Sequence, residues 1–124
     1  MAKTILIVED NEQNMRLLVD LLGANGYRTL QSVDGLDALA VAEKDAPDLI
    51  LMDIQLPHVS GIEVTKLFRS HETLKEIPIV AVTAFASPGE AERILDAGCD
   101  TIVSKPISPK SFLKTVAQFI GEAV

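Results

Sequence analysis

The chain has 124 residues, which suits one domain around one core. It is 48% hydrophobic but only 4% aromatic, with no Trp, so the core must be aliphatic. A formal net charge of −7, with no Lys/Arg cluster to offset it, argues against a nucleic-acid surface.

The lone Cys99 rules out an internal disulfide, offers no metal spacing and fits a reducing, cytoplasmic setting. No apolar run is long enough to cross a membrane, and the N-terminus has too short an apolar region for a signal peptide. No linker or internal repeat marks a second domain, so residues 1–124 are expected to form one unit.

Thr4–Val8 is an aliphatic run that reads as a buried strand and delivers Glu9 and Asp10. Asn11 can cap the next helix, where Met15, Leu18, Val19 and Leu22 keep helical spacing before Gly26. Tyr27–Ser32 is a more polar strand, as at a sheet edge. Asp34-Gly35 is expected to open a second helix, with Leu36, Leu39 and Ala40 inward and Pro47 as its stop. Asp48–Asp53 is the third strand, with a continuous apolar run from Leu49 into the acid Asp53, and Pro57 stops the segment.

Ser60-Gly61-Ile62-Glu63 has the form of a capping box and starts a helix with Val64, Leu67 and Phe68 toward the sheet. Ile77–Val82 is the fourth strand and delivers Thr83; its Pro78 is tolerable only near the strand start. Ser87-Pro88-Gly89-Glu90 is a second capping box, and Gly98 ends that helix. Thr101–Val103 is a fifth strand, followed by Ser104, Lys105 and Pro106. A last helix starts near Ser108-Pro109, with Phe112, Val116 and Ile120 in one stripe.

Five strands alternating with five helices predict an α/β fold: a parallel sheet with helices on both faces, three layers in all. At this size the flavodoxin-like (βα)5 strand order 2-1-3-4-5 is expected. Its switch point falls between the first and third strands, where Glu9, Asp10 and Asp53 would meet. Three carboxylates at one site repel one another, and a divalent cation resolves the repulsion. Hard oxygen ligands suit Mg²⁺. Asp10 and Asp53 are the expected direct ligands, with Glu9 binding directly or through water and Gln55 offering a backbone carbonyl.

Lys105 can serve as a point charge for a phosphate or for Asp53, and Thr83 offers a hydroxyl donor. A carboxylate beside Mg²⁺ and an ammonium is a suitable acceptor for a phosphoryl group.

V-E-D-N at 8–11, L-M-D-I-Q-L-P at 51–57, V-T-A at 82–84 and S-K-P at 104–106 resemble the receiver domain of bacterial response regulators along the whole chain. The resemblance implies that Asp53 is the phosphoacceptor and that Thr83 and Lys105 bind the phosphoryl group. It implies a Mg²⁺ site, open to Mn²⁺ as a substitute, built from Glu9, Asp10, Asp53 and the Gln55 carbonyl. A cis bond before Pro106 belongs to the same pattern.

A histidine kinase or phosphotransferase protein would supply the phosphoryl group. A downstream partner would dock on the face of the last two helices and the strand between them. The implied role is that of a phosphoacceptor signalling protein rather than an enzyme acting on a separate substrate. It is expected to be cytoplasmic, with recruitment to a cell pole, and monomeric with weak dimerisation on phosphorylation.

V-E-D-N-E-Q-N-M, D-L-I-L-M-D-I-Q-L-P, I-P-I-V-A-V-T-A-F-A and S-K-P-I-S are similar to single-domain regulators of cell division and polarity in alphaproteobacteria. No output domain is expected after the fifth helix.

One departure concerns Ile102, where many receivers carry an aromatic residue that couples to the threonine. With an aliphatic side chain there, switching is expected to run through the loop Ala84–Ala86, with a dynamic face around Phe85 and the fourth helix. A haloacid-dehalogenase-type phosphatase would need a second Asp where Gln55 stands. A flavin-binding protein would need a Ser/Thr/Gly-rich first loop where Glu9-Asp10 stands. A degenerate receiver used only for docking would not need all of the site residues.

Overall fold

The computed structural model describes residues 3–84 and 87–121. The elements run β1 (Thr4–Val8), α1 (Glu12–Ala24), β2 (Arg28–Ser32), α2 (Ala38–Asp45), β3 (Leu49–Asp53), α3 (Gly61–Ser70), β4 (Ile79–Thr83), α4 (Pro88–Ala97), β5 (Thr101–Ser104) and α5 (Pro109–Ile120). The sheet is parallel in order β2-β1-β3-β4-β5, as the alternating pattern predicted. Among the described residues no helix is long and apolar enough to cross a membrane.

Successive strand side chains point to opposite faces, and the core divides accordingly. Ile5, Ile7, Leu49, Leu51 and Val80 pack with Met15, Leu18 and Leu22 of α1 and Phe112 and Val116 of α5. Leu6, Val8, Ile50, Met52, Ile79 and Ala81 pack with α2, α3 and α4 through Ala38, Ala42, Val64, Phe68 and Ile94. β1, β3 and β4 are buried along their whole length, which is why they read as unbroken apolar runs.

Caps set the helix starts. Asn11 Oδ1 accepts from the Asn14 N–H at 2.9 Å, and Ser87 Oγ accepts from the Glu90 N–H at 3.2 Å. Ser60 departs from the capping box: its hydroxyl accepts from the Ile62 N–H rather than that of Glu63. Gly98 caps α4 with φ +119°, a left-handed geometry that favours glycine.

The second helix begins at Ala38, not at Asp34-Gly35. Asp34 Oδ1 instead accepts from the Leu36 N–H at 3.0 Å, an Asx turn that delays the helix. That delay changes the inward face: Ala38 and Ala42 are buried, while Leu36 and Ala40 are exposed. Leu67 is also exposed rather than directed at the sheet, because Val64, Thr65 and Phe68 supply the buried face of α3. The fourth strand starts at Ile79, just after Pro78. Ala84 is exposed, and Phe85 and Ala86 of the expected switching loop lie outside the described residues.

Candidate functional site

β1 pairs with β3 through Val8 and Met52, so the residues after these positions meet at the switch point. Glu9 and Asp53 are nearly inaccessible, at 2% and 3% exposure, whereas Asp10 is exposed. One carboxylate oxygen each from Glu9, Asp10 and Asp53 lie within 4.8 Å of one another. The predicted convergence of the three acids is therefore present.

Lys105 closes the site. Its backbone N–H donates to the Thr83 carbonyl at 2.8 Å, which continues the β4–β5 ladder one residue further. The Lys105–Pro106 peptide is cis. The Lys105 Nζ stands 3.1 Å from Glu9 Oε1 and 3.3 Å from Asp53 Oδ2. Each buried carboxylate gives its other oxygen to a backbone donor. Asn11 N–H reaches Glu9 Oε2 at 3.2 Å, and Gln55 N–H reaches Asp53 Oδ1 at 3.0 Å.

Two buried acids thus share one ammonium. Burial and the neighbouring Asp53 raise the Glu9 carboxyl to about 7, against the opposing pull of the Asn11 N–H and Lys105. Burial by itself would lower the Lys105 ammonium, but the hydrogen bond to Glu9 and the charge of Asp53 outweigh it and raise it.

This sets a pH dependence. Unfolded Glu9 releases its proton near 4.5, whereas folded Glu9 holds it to about 7. The fold binds the proton more tightly, so it loses stability as pH rises between those values. Metal-free wild type should therefore melt at lower temperature at about pH 8 than at about pH 5, and Glu9→Gln should flatten that slope. Parallel pH profiles in the two proteins would refute the assignment.

The donor set fits Mg²⁺: hard oxygens only, an excess of negative charge, and one exposed acid, Asp10, on the open side. Gln55 is exposed and its N–H bonds Asp53, which sets it on the same turn. Thr83 is buried at the end of β4, one residue beyond Val82, the register partner of Asp53. All the residues singled out by pattern thus come to one edge of the sheet. Lys105 goes further than expected, since it is shared with Glu9.

The residue that pattern reading missed is Glu90, whose Oε1 accepts from Thr83 Oγ1 at 3.4 Å. The capping box located Glu90 on the first turn of α4. Nothing local signalled that its side chain reaches back to the strand.

A doubly wound α/β domain with a carboxylate cluster and a lysine at the carboxyl ends of its strands carries its candidate ligand site where the fold places one, at the switch point between β1 and β3. Residues 5–117 match the response regulator receiver domain family, and the chain belongs to it.

It is 53% identical over 123 residues to the polar-differentiation response regulator DivK of Brucella ovis, covering 99% of this chain and 100% of that protein. The DivK of Brucella anthropi is 52% identical over the same length. Among solved structures, chemotaxis protein CheY4 of Vibrio cholerae superposes with TM-score 0.92 at 28% identity, covering 96% of this chain and 99% of that one. The receiver domain of sensor histidine kinase PA1611 of Pseudomonas aeruginosa, with a magnesium ion coordinated in its active-site cleft, superposes with TM-score 0.90 at 34% identity. That match covers 98% of this chain and 100% of the other.

Proposed function

We propose that residues 1–124 act as one phosphorylatable receiver in a two-component phosphorelay. Asp53 is the acceptor, and a phosphohistidine on a histidine kinase or phosphotransferase protein is the donor. A carboxylate oxygen of Asp53 bonds to phosphorus as the N–P bond breaks, giving an acyl phosphate and neutral imidazole. The single observation that carries this reading is Asp53 itself: a nearly inaccessible carboxylate at the end of β3, 3.3 Å from the Lys105 ammonium.

Lys105 is positioned to neutralise charge on the transferring group, and Thr83 to donate its hydroxyl to a phosphoryl oxygen. Glu9, Asp10, Asp53 and the Gln55 carbonyl would hold Mg²⁺, which supplies Lewis-acid neutralisation of the phosphoryl oxygens when bound. The magnesium in the cleft of the similar PA1611 domain supports that assignment. A cavity of about 360 Å³ lined by Asn14, Leu17, Lys105, Pro106 and Ile107 leaves room beside Lys105 for the donor to approach.

The output is protein docking. The face of α4, β5 and α5 carries half-buried Ile102 and a groove of about 360 Å³ that includes Ser111 and Thr115. Similarity to DivK supports a role in polarity and cell-cycle control, with polar recruitment of a cytoplasmic protein. The free protein is monomeric and dimerises weakly when phosphorylated.

Beryllofluoride tests the reading, because it mimics an aspartyl phosphate. It should bind only with Mg²⁺ present, and amide NMR shifts should spread from residue 53 to residues 87–104. Thr83→Ala should still bind it but lose the shifts in α4 and β5. Full wild-type shifts in Thr83→Ala would remove Thr83 as the transmitter.

Mg²⁺ alone should stabilise the fold by about 1.4 kcal/mol at tenfold excess over Kd, and so raise the melting temperature. Asp10→Asn should lose most of that gain. An equal gain in both proteins would exclude Asp10 as a ligand.

A further inference from the structure

α4 is held differently at its two ends. At its C-terminus, Arg69 of α3 donates from Nε to the Gly98 carbonyl at 2.8 Å and from Nη2 to Asp100 Oδ2 at 2.9 Å. Asp100 Oδ2 also accepts from the Ile79 N–H at 2.8 Å, so the clamp reaches the start of β4. The buried residues of α4, Ile94 and Ala97, lie in its second half. At the N-terminal end, Ser87 caps the local backbone by accepting the Glu90 N–H. There the side chain of Glu90 links the helix to the sheet by accepting the Thr83 hydroxyl, at 3.4 Å.

A threonine hydroxyl has one proton to donate. While Thr83 gives it to Glu90, it cannot give it to a phosphoryl oxygen on Asp53. Thr83 is also β-branched and buried, so its hydroxyl moves between a few discrete rotamers.

We propose that Glu90 is a positioning residue of the switch: its carboxylate competes with the phosphoryl group for the Thr83 hydroxyl and holds the first turn of α4 in its unphosphorylated place. The proposal rests on the reading of Asp53 and Thr83 given above. Transfer of the hydroxyl to the phosphoryl oxygen frees Glu90. Because Arg69 pins Gly98, the helix then swings at its N-terminal end. A ligand shifts such an equilibrium only by its differential affinity for the two states. The Thr83–Glu90 bond stabilises only the unphosphorylated state, so it subtracts from the affinity for a phosphoryl mimic.

The test is a beryllofluoride titration with Mg²⁺, read by amide NMR, on the full chain. Wild type, Glu90→Ala, Glu90→Gln, Thr83→Ala and the Thr83→Ala/Glu90→Ala double variant are compared. Glu90→Ala should bind about fivefold more tightly, at the low end of measured coupling between sites. Glu90→Gln, whose amide oxygen still accepts without a charge, should fall between. In the Thr83→Ala background the Glu90 substitution should change nothing, since the competition has lost its object.

Glu92→Ala, which removes an exposed charge from the same helix, should leave the affinity at the wild-type value. Unchanged affinity in Glu90→Ala overturns the proposal, as does the same gain in the Thr83→Ala background or in Glu92→Ala. Absence of binding to wild type, or equal binding to Asp53→Asn, overturns the reading of the site itself and the proposal with it.

Discussion

Asp53→Asn should reduce phosphoryl incorporation from acetyl phosphate to background while leaving the fold intact. The amide is nearly isosteric, and its oxygen can still accept from the Gln55 N–H. It is, however, a poor nucleophile, and no other carboxylate takes its place. Glu9 lies one strand away, shares Lys105 and tends to hold a proton near neutrality; Asp10 is exposed, beyond the buried end of β1.

Removing one of two buried acids that face each other also relieves repulsion, so the variant should melt no lower than wild type. Intact-mass spectrometry after acetyl phosphate treatment, with a thermal melt on the same samples, measures both. Labelling at the wild-type rate would refute Asp53 as the acceptor.

Gly61→Ala should be among the most damaging single-methyl changes in the chain. Gly61 is the first residue of α3, and its N–H donates to the Ile54 carbonyl at 3.0 Å. A Cβ there would overlap the Asp53 backbone carbonyl and stand 2.8 Å from the Ile54 Cα. Both obstacles are backbone, so neither a rotamer change nor a flexible tip can relieve the clash. Alanine favours a helix by up to about 1 kcal/mol over glycine, but overpacking of this kind costs about 2–3 kcal/mol.

The net loss should lower the melting temperature by several degrees. It should also slow labelling, because the displaced backbone carries the acceptor carboxylate. A calorimetric scan and a labelling time course measure the two effects. A variant that melts with wild type would show that the α3 start can move away from β3 without penalty.

The strands and the polar residues at their ends were legible in the sequence for a simple reason. A strand buried on both faces must be apolar throughout, so an acid or threonine that ends such a run stands out, as Glu9, Asp53 and Thr83 do. The parallel order then brings the ends of β1 and β3 together. Helix periodicity was legible too, but its phase was not. Leu36 and Ala40 face inward only in a helix that starts at Asp34, and the Asx turn there moves the start to Ala38. Leu67 shares the apolar stripe of α3 yet stays exposed, because spacing alone does not set which edge of a stripe meets the sheet.

By itself the sequence determined the fold class, the strand order expected for it, and the residue types available at the ligand edge. Those follow from local hydrophobic period and from chain connectivity, which short-range sequence encodes. Only the tertiary structure decided how the charges are shared. Lys105 lies 3.1 Å from Glu9 as well as 3.3 Å from Asp53, and Glu90 takes the Thr83 hydroxyl. Such contacts depend on where side chains from separate elements end in space, and a few tenths of an ångström in packing decide between one partner and another.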